Sequence, residues 1–213
     1  MLIAEAVAAG WELSAQYVAP GVEAVDGAGR VHQLAAGVAE RVSDTSTPQG
    51  ILALALVPTP DPDAVLADAS FVVVADRLAD PGNLGTILRS AEAAGVDAIA
   101  LTPGSVDATN PKVVRASAGA RFRVPTVTAE LAAVSGAGLR LLGSSSHEGR
   151  SHLDVEWRGR IALVAGSESH GLGDDAPVDE WVRIEHAGRS ESLNVAMAVT
   201  VMCFHAMAVR RLS

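Results

Sequence analysis

Apolar residues in the later part of this chain come in short, mostly continuous runs rather than in strict alternation with polar ones. Five runs stand out, at 71–75, 98–101, 140–142, 161–165 and 181–184. Continuous apolar strands are the mark of a sheet buried on both faces. Helix-like stretches lie between them, so the pattern predicts an α/β fold, a parallel sheet wrapped by helices. In such sheets ligands bind at the loops that leave the carboxyl ends of the strands. The residues following each run are therefore the place to look for chemistry.

Residues 1–57 read as a separate small α/β piece. A helical stretch at 2–9 is stopped by Gly10, and a short strand follows at 16–19. Thr47-Pro48-Gln49-Gly50 reads as a turn into a buried strand at 51–57. The proline-rich residues that come next predict a linker over 58–70, with a second domain at 71–213.

Composition narrows the picture. With 213 residues, 49% of them hydrophobic, the chain can bury a substantial core. The longest apolar runs are strand-sized, far short of the roughly 18 residues a membrane helix needs. No secretory signal is evident, and a cytoplasmic protein without a membrane span is expected. The single cysteine, Cys203, cannot form an internal disulfide and reads as a buried, inert thiol. The formal charge of −9 argues against indiscriminate coating of nucleic acid. Locally, however, 110–123 carries Lys112, Arg115, Arg121 and Arg123 with no acidic residue, so a basic face is possible on an acidic protein.

Three strand-end segments carry candidate chemistry. After 71–75 comes Asp80-Pro81-Gly82-Asn83, then a helix predicted over 84–94 with Asn83 as its N-cap and Gly95 as its stop. Arg89 points away from the stripe formed by Leu84, Ile87, Leu88 and Ala91. It either pairs with Glu92 one turn on or reaches a ligand. After 161–165 comes Gly166-Ser167-Glu168-Ser169-His170-Gly171, a tight turn or a close-approach loop for a ligand. It lacks the glycine spacing of a hydrolase elbow, and Gly171-x-Gly173-x-x-Ala176 starts too far past the strand for a dinucleotide fingerprint. After 181–184, Ser192 is the expected cap of a long final helix running to Arg211, with Asn194 in its first turn. Leu193, Met197, Val201, Phe204 and Ala208 form an apolar stripe on that helix, read as core packing or as a dimer interface. His186 has no second ligand at useful spacing, so no metal is expected.

Together these segments resemble the SpoU (TrmH-like) branch of the SPOUT RNA methyltransferases. The first motif of that family matches Asp80-Pro81-x-Asn83-x-Gly85-x-x-x-Arg89, the second matches Gly166, Glu168 and Gly171, and the third matches Ser192-Leu193-Asn194-Val195. The segment from Asn110 to Phe122 is similar to the family's connecting stretch. The resemblance implies a C-terminal deep trefoil knot, an exception to the rule against knotted chains. It also implies S-adenosylmethionine as cofactor, with Gly166, Ile184 and Leu193 at the adenosine and Gly143 and Ser144 near the ribose or methionine part. The implied activity is 2′-O-methylation of a ribose in structured RNA, ribosomal RNA before transfer RNA. Arg89 corresponds to the family's catalytic arginine, and Asn83, Glu168, Ser192 and Asn194 would orient the reactants. Lys112, Arg115 and Arg121 would touch the RNA backbone, and the final helix would form a homodimer. Residues 1–57 resemble the latter part of the family's L30e-like RNA-binding domain, so a truncated version of it is expected. One departure is Ile184-Glu185-His186, where the family usually has Ile-Pro-hydrophobic. Two alternatives accompany this reading: an RNA- or cofactor-binding protein without catalysis, and a serine hydrolase built on Ser167 or Ser169 with His170 and Asp174.

Overall fold

The computed structural model describes residues 2–43, 45, 47–167, 170–173 and 175–212. The chain forms two compact units that divide between Pro58 and Thr59. In the first unit, helix α1 (Leu2–Ala8) is followed by β1 (Leu13–Val18), β2 (Arg30–Gln33), helix α2 (Val38–Val42) and β3 (Ile51–Ala55). The strands make a three-stranded sheet in the order β2-β1-β3, with β1 parallel to β2 and antiparallel to β3. Gln16, buried on β1, donates to the Val25 carbonyl and accepts from the Val25 N–H, both at 2.8 Å, which ties down the long β1–β2 connection. The expected buried strand at 51–57 is instead an edge strand. β3 has one neighbour, stops at Ala55, and leaves Leu54, Leu56 and Val57 exposed.

The stretch read as a linker contains a helix. α3 (Pro62–Asp68) starts on Asp61, whose side chain accepts from the Asp63 N–H, with Pro62 in the first turn. An Asp cap before a first-turn proline is itself a helix-start signal, and here it outweighs the reading of prolines as spacers. Arg160 closes the far end of α3 by donating to the carbonyls of Leu66, Ala67 and Ala69. Leu66 is buried within the second unit.

The rest of the second unit runs β4 (Phe71–Ala75), α4 (Pro81–Ala94), β5 (Ala98–Leu101), α5 (Pro111–Ala116), α6 (Ala120–Arg123), β6 (Thr126–Thr128), α7 (Leu131–Gly136), β7 (Arg140–Ser145), β8 (Arg150–Ser151), β9 (Ile161–Ala165), β10 (Glu180–Arg183) and α8 (Val195–Arg211). Its seven strands lie in the order β6-β5-β4-β9-β7-β10-β8, every pairing parallel. All five expected strands form, and β6 and β8, too short to give a pattern, extend the edges. Successive residues of β4 and β9 serve opposite faces. Phe71, Val73, Ala75, Ile161, Leu163 and Ala165 pack with residues of α4, α5, α6 and α8, while Val72, Val74, Ala162 and Val164 pack with Leu66 and Val134 on the other side. A period of two along strands buried on both faces produces the unbroken apolar runs of the sequence.

Two helix starts differ from expectation. α4 begins at Pro81 with Asp80 as N-cap, whose Oδ1 accepts from the Asn83 N–H at 2.8 Å, so Asn83 is the third helical residue rather than the cap. α8 begins at Val195, capped by Asn194 rather than Ser192, and the Asn194 Oδ1 accepts from the N–H groups of Ala196 and Met197. The two starts are joined, since Asn194 Nδ2 donates to Asn83 Oδ1 at 3.0 Å. Further along, the Ser90 and Thr200 hydroxyls meet at 2.7 Å, so α4 and α8 run side by side in the same direction. Gly85 lets α4 approach α5: a Cβ there would stand 2.4 Å from the Ala116 Cβ and 2.9 Å from the Val113 carbonyl.

Gly85→Ala is expected to cost about 1–3 kcal/mol through forced overpacking, read as a lower denaturant midpoint at unchanged slope. Asn194→Ala should cost about 0.5–2 kcal/mol by removing the cap of α8. Asn194→Asp keeps the capping oxygen and loses only the donor to Asn83. It should therefore melt close to the wild type, whereas the alanine variant melts several degrees lower.

Candidate active site

The carboxyl ends of β7, β9 and β10 open into a cavity of about 680 Å³. That lies within the span of small-molecule sites, about 300–1,000 Å³. Its walls come from three strand-end segments: Ser144 to Glu148 after β7, Gly166, Ser167 and His170 to Leu172 after β9, and Ile184, His186 and Glu191 to Val195 after β10. Trp181 of β10 and Ala198 and Met202 of α8 complete it.

The β9 loop forms the tight turn that its glycines allow. Ser167 and Gly171 exchange backbone hydrogen bonds at 3.1 and 2.9 Å, closing a tight turn. A Cβ on Gly166 would lie 2.1 Å from the Gly171 carbonyl carbon, so only glycine permits the fold-back. Gly166, Ser167, His170, Gly171 and Leu172 of this segment line the cavity. Ser167 Oγ accepts from the His170 main-chain N–H at 3.3 Å, a turn contact rather than a nucleophile–base pair. Glu168, expected to orient the reactants, and Ser169 and Asp174 of the hydrolase alternative lie outside the described residues.

The β10 loop shows what stands in for the family's usual proline. His186 donates from Nδ1 to the Ser190 carbonyl at 3.0 Å, so a hydrogen bond across four residues shapes the loop in place of proline's fixed φ. This clasp, and the placing of Trp181, His147 and Glu148 at the cavity, were not foreseen from the sequence. The one available signal was position just after a strand, and β7 runs three residues further than its apolar run, to Ser145.

Of the residues expected at the cofactor, Ser144, Gly166, Ile184 and Leu193 line the cavity, and Gly143 does not. The space a Gly143 side chain would occupy is filled by Val178 and Trp181, at 3.0 and 3.1 Å from a Cβ there. Ser192 and Asn194 line the cavity, and Asn83 is linked to it through Asn194. Arg89 is exposed on α4, outside the lining. Its pairing with Glu92 does not form, because Glu92 is engaged by Arg123 through Nε and Nη2. Arg89 makes no hydrogen bond or ion pair among the described residues. One turn before it, Gly85 marks the contact of α4 with α5, which exposes Lys112 and Arg115. Lys112 Nζ sits 3.7 Å from an Asp80 carboxylate oxygen, a loose surface pair. Arg121 departs from expectation: it is only 7% exposed, so it is withdrawn from that surface. Burial lowers its pKa, opposed by attraction to Asp107. The Asp107 carboxyl is held below its ordinary value by hydrogen bonds from the Thr109 backbone and hydroxyl, aided by Arg121.

The stripe on α8 is not core. Ala196, Val199, Met202, Cys203 and Ala206 are buried, and Met197, Val201 and Phe204 lie about 180° around the helix from them, at 54%, 42% and 40% exposure. Burial pushes the Cys203 thiol up to about 12, in keeping with an inert cysteine. No helix among the described residues is long and apolar enough to cross a membrane.

Comparison with known proteins places this geometry. Residues 70–204 match the model of the SpoU rRNA methylase family. The 23S rRNA (guanosine(2553)-2′-O)-methyltransferase RlmP of Bacillus subtilis is 35% identical over 172 residues, covering 77% of this chain and 67% of that protein. A tRNA/rRNA methyltransferase of Synechocystis sp., uncharacterised, is 37% identical over 182 residues, covering 79% of this chain and 64% of the relative. The chain thus spans about two thirds of the length of these relatives. The AdoMet-bound rRNA methyltransferase of Sinorhizobium meliloti superposes with a TM-score of 0.86 at 26% identity, over 97% of this chain and 84% of that one. With its parallel sheet, its strand-end cavity and a family match that takes in all three motifs, the chain belongs to the SpoU rRNA methylase family.

Proposed function

We propose that this protein is an S-adenosylmethionine-dependent enzyme that methylates the 2′-hydroxyl of a ribose in ribosomal RNA. The observation that carries the reading is the cavity itself. The second and third motifs supply two of its walls, and the Asn83–Asn194 hydrogen bond couples the first motif to the third. Relatives named as 23S rRNA 2′-O-methyltransferases and an AdoMet-bound structural neighbour support it.

The site suits the cofactor. Ser144, Gly166, Ile184 and Leu193 would hold it, combining close-approach backbone at the Gly166 turn with apolar side chains for a flat ring. When bound, S-adenosylmethionine supplies a methyl group carried on a sulfonium centre. The protein's part is to hold the ribose oxygen in line with that methyl group, and positioning supplies most of the acceleration. Arg89 is the catalytic residue in this reading. Its guanidinium keeps its proton at any working pH, so it acts by clamping the neighbouring phosphate and stabilising charge that builds on the 2′-oxygen. Asn83, Ser192, Asn194 and Glu168 orient the reactants, with Asn194 fixed in place by its own role as a helix cap. Lys112 and Arg115, exposed on α5 near the Arg89 face of α4, bind RNA backbone.

Three structural proposals accompany the activity. Residues 1–57 act as a reduced L30e-like RNA-binding unit, ahead of a methyltransferase unit that includes 71–213. The segment 184–194 threads past the β7 and β9 loops to close a trefoil knot, a reading supported by β7 lying between β9 and β10 while all three strand ends share one cavity. Two copies pair through the exposed α8 stripe, since an apolar row directly opposite a helix's buried face calls for a partner.

Incubated with labelled cofactor and unmodified 23S rRNA, the wild type is expected to place methyl groups on ribose, read as alkali-resistant dinucleotides. Arg89→Ala should lower kcat by about 10²–10³ with cofactor affinity unchanged by calorimetry, and full activity in that variant would reject its role. Met197→Asp combined with Phe204→Asp should convert a dimer to a monomer in sedimentation. A wild type that sediments as a monomer would sink the pairing.

A further inference from the structure

The loop leaving β4 holds an arginine where the backbone suits glycine. Arg77 has φ of 50°, one of two non-glycine residues with positive φ among the described residues. An L side chain is disfavoured there, and such a residue persists only where its surroundings over-determine it. The surroundings here do so. The Arg77 N–H donates to Thr102 Oγ1 at 2.9 Å, and that hydroxyl donates to Asp76 Oδ1 at 2.8 Å. The other Asp76 oxygen accepts from Arg77 Nε and Nη2 at 3.1 and 3.0 Å. Asp76 is buried, its own N–H given to the Ala165 carbonyl at the end of β9, one residue before the cavity wall at Gly166.

The guanidinium is thus aimed rather than hidden. Its side chain is 61% exposed. Of its five N–H groups the Asp76 oxygen engages two, leaving three turned elsewhere. The pair neutralises a buried carboxylate, yet the arginine that does so is itself exposed, at a position where glycine would fit the backbone without strain. That contact takes two N–H groups on one side of the guanidinium and leaves the other three for a ligand. One further cation, Lys112, meets the far end of the same loop through Asp80.

We propose that Arg77 is a phosphate-binding residue for the substrate RNA, its outward N–H groups taking a backbone phosphate beside the nucleotide presented to the cavity. This rests on the reading of the chain as an RNA methyltransferase. Asp76 and Thr102 are the positioning residues, fixing the guanidinium plane so that little freedom is lost on binding.

The test uses the full-length protein, an unmodified 23S rRNA transcript and filter binding between about 50 and 200 mM salt, with steady-state methylation alongside. Arg77→Gly and Arg77→Ala should weaken RNA binding about five- to tenfold near 100 mM salt and reduce the slope of log affinity against log salt by about 0.7–0.9, the signature of one lost phosphate contact. KM for RNA should rise by a similar factor, with kcat and cofactor affinity unchanged. Arg77→Lys should keep the slope and lose part of the affinity. If Arg77 only neutralises Asp76, Arg77→Gly will lower the melting temperature and leave slope and KM at wild-type values, which overturns the proposal. Should the wild type transfer no methyl group, the enzymatic reading fails, and the salt slope of binding still decides the role of Arg77.

Discussion

Strand register is the constraint on which the rest of this protein depends. β9 pairs with β4 from Phe71↔Ile161 to Ala75↔Ala165 without a slip, so the two central strands end level. β7 pairs with β9 at Gly143↔Val164, and β10 with β7 at Arg183↔Ser145. Four loops therefore leave the sheet within one residue of the same level, at Asp76, Gly166, Ser146 and Ile184. A shift of one residue in any of these pairings would turn the apolar faces of a strand from one core to the other. With both faces buried, such a shift has nowhere to place Phe71, Ile161 or Leu163. The packing that fixes the core thus also fixes the height at which the site residues emerge.

Polar groups near the strand ends are held by structural duties. Asn194 caps α8 and reaches Asn83, Asp80 caps α4 and meets Lys112, and Thr102 bridges Asp76 and Arg77. Each side chain has little freedom to lose when a ligand arrives, because its orientation is already set by backbone hydrogen bonds. The pairing of α4 with α8 has the same economy. Side-chain bonds at Asn83–Asn194 and Ser90–Thr200 set the relative rise of the two helices, and apolar packing fills the space beneath.

The central sheet was legible because burial on both faces writes strands as apolar runs, and the motifs stood out because they follow those runs. What escaped sequence reading was decided by geometry between distant segments. Asn83 and Asn194 are both good caps in principle, yet only the positions of Pro81 and Val195 in the folded helices decide which residue stands before the first turn. Arg121 carries the same charge as Arg115, and its burial depends on how α6 turns after Gly119, whose φ of 95° no composition reveals. The α8 stripe has a period that fits core packing equally well. The residues of the opposite face, Ala196, Val199, Met202, Cys203 and Ala206, are what pack inward. The prolines at 58–62 carried two signals, and the cap at Asp61 prevailed over the spacer.

The last helix is fastened at both ends. At its start Asn194 holds Asn83, and near its finish Arg210 donates to the carbonyls of Trp157 and Gly159 and to the Ser70 hydroxyl, 140 residues away in the chain, with its guanidinium over the Phe71 ring. Residues from 184 onward also build one wall of the cavity. Chains fold from the N-terminal side as they are synthesised. The sheet's central pair can form once β9 has emerged from the ribosome, but the cavity cannot close until the final helix has emerged and docked. The cavity therefore takes shape late, and a nascent chain passes through an interval in which its central sheet is formed and the site beside it is not yet closed.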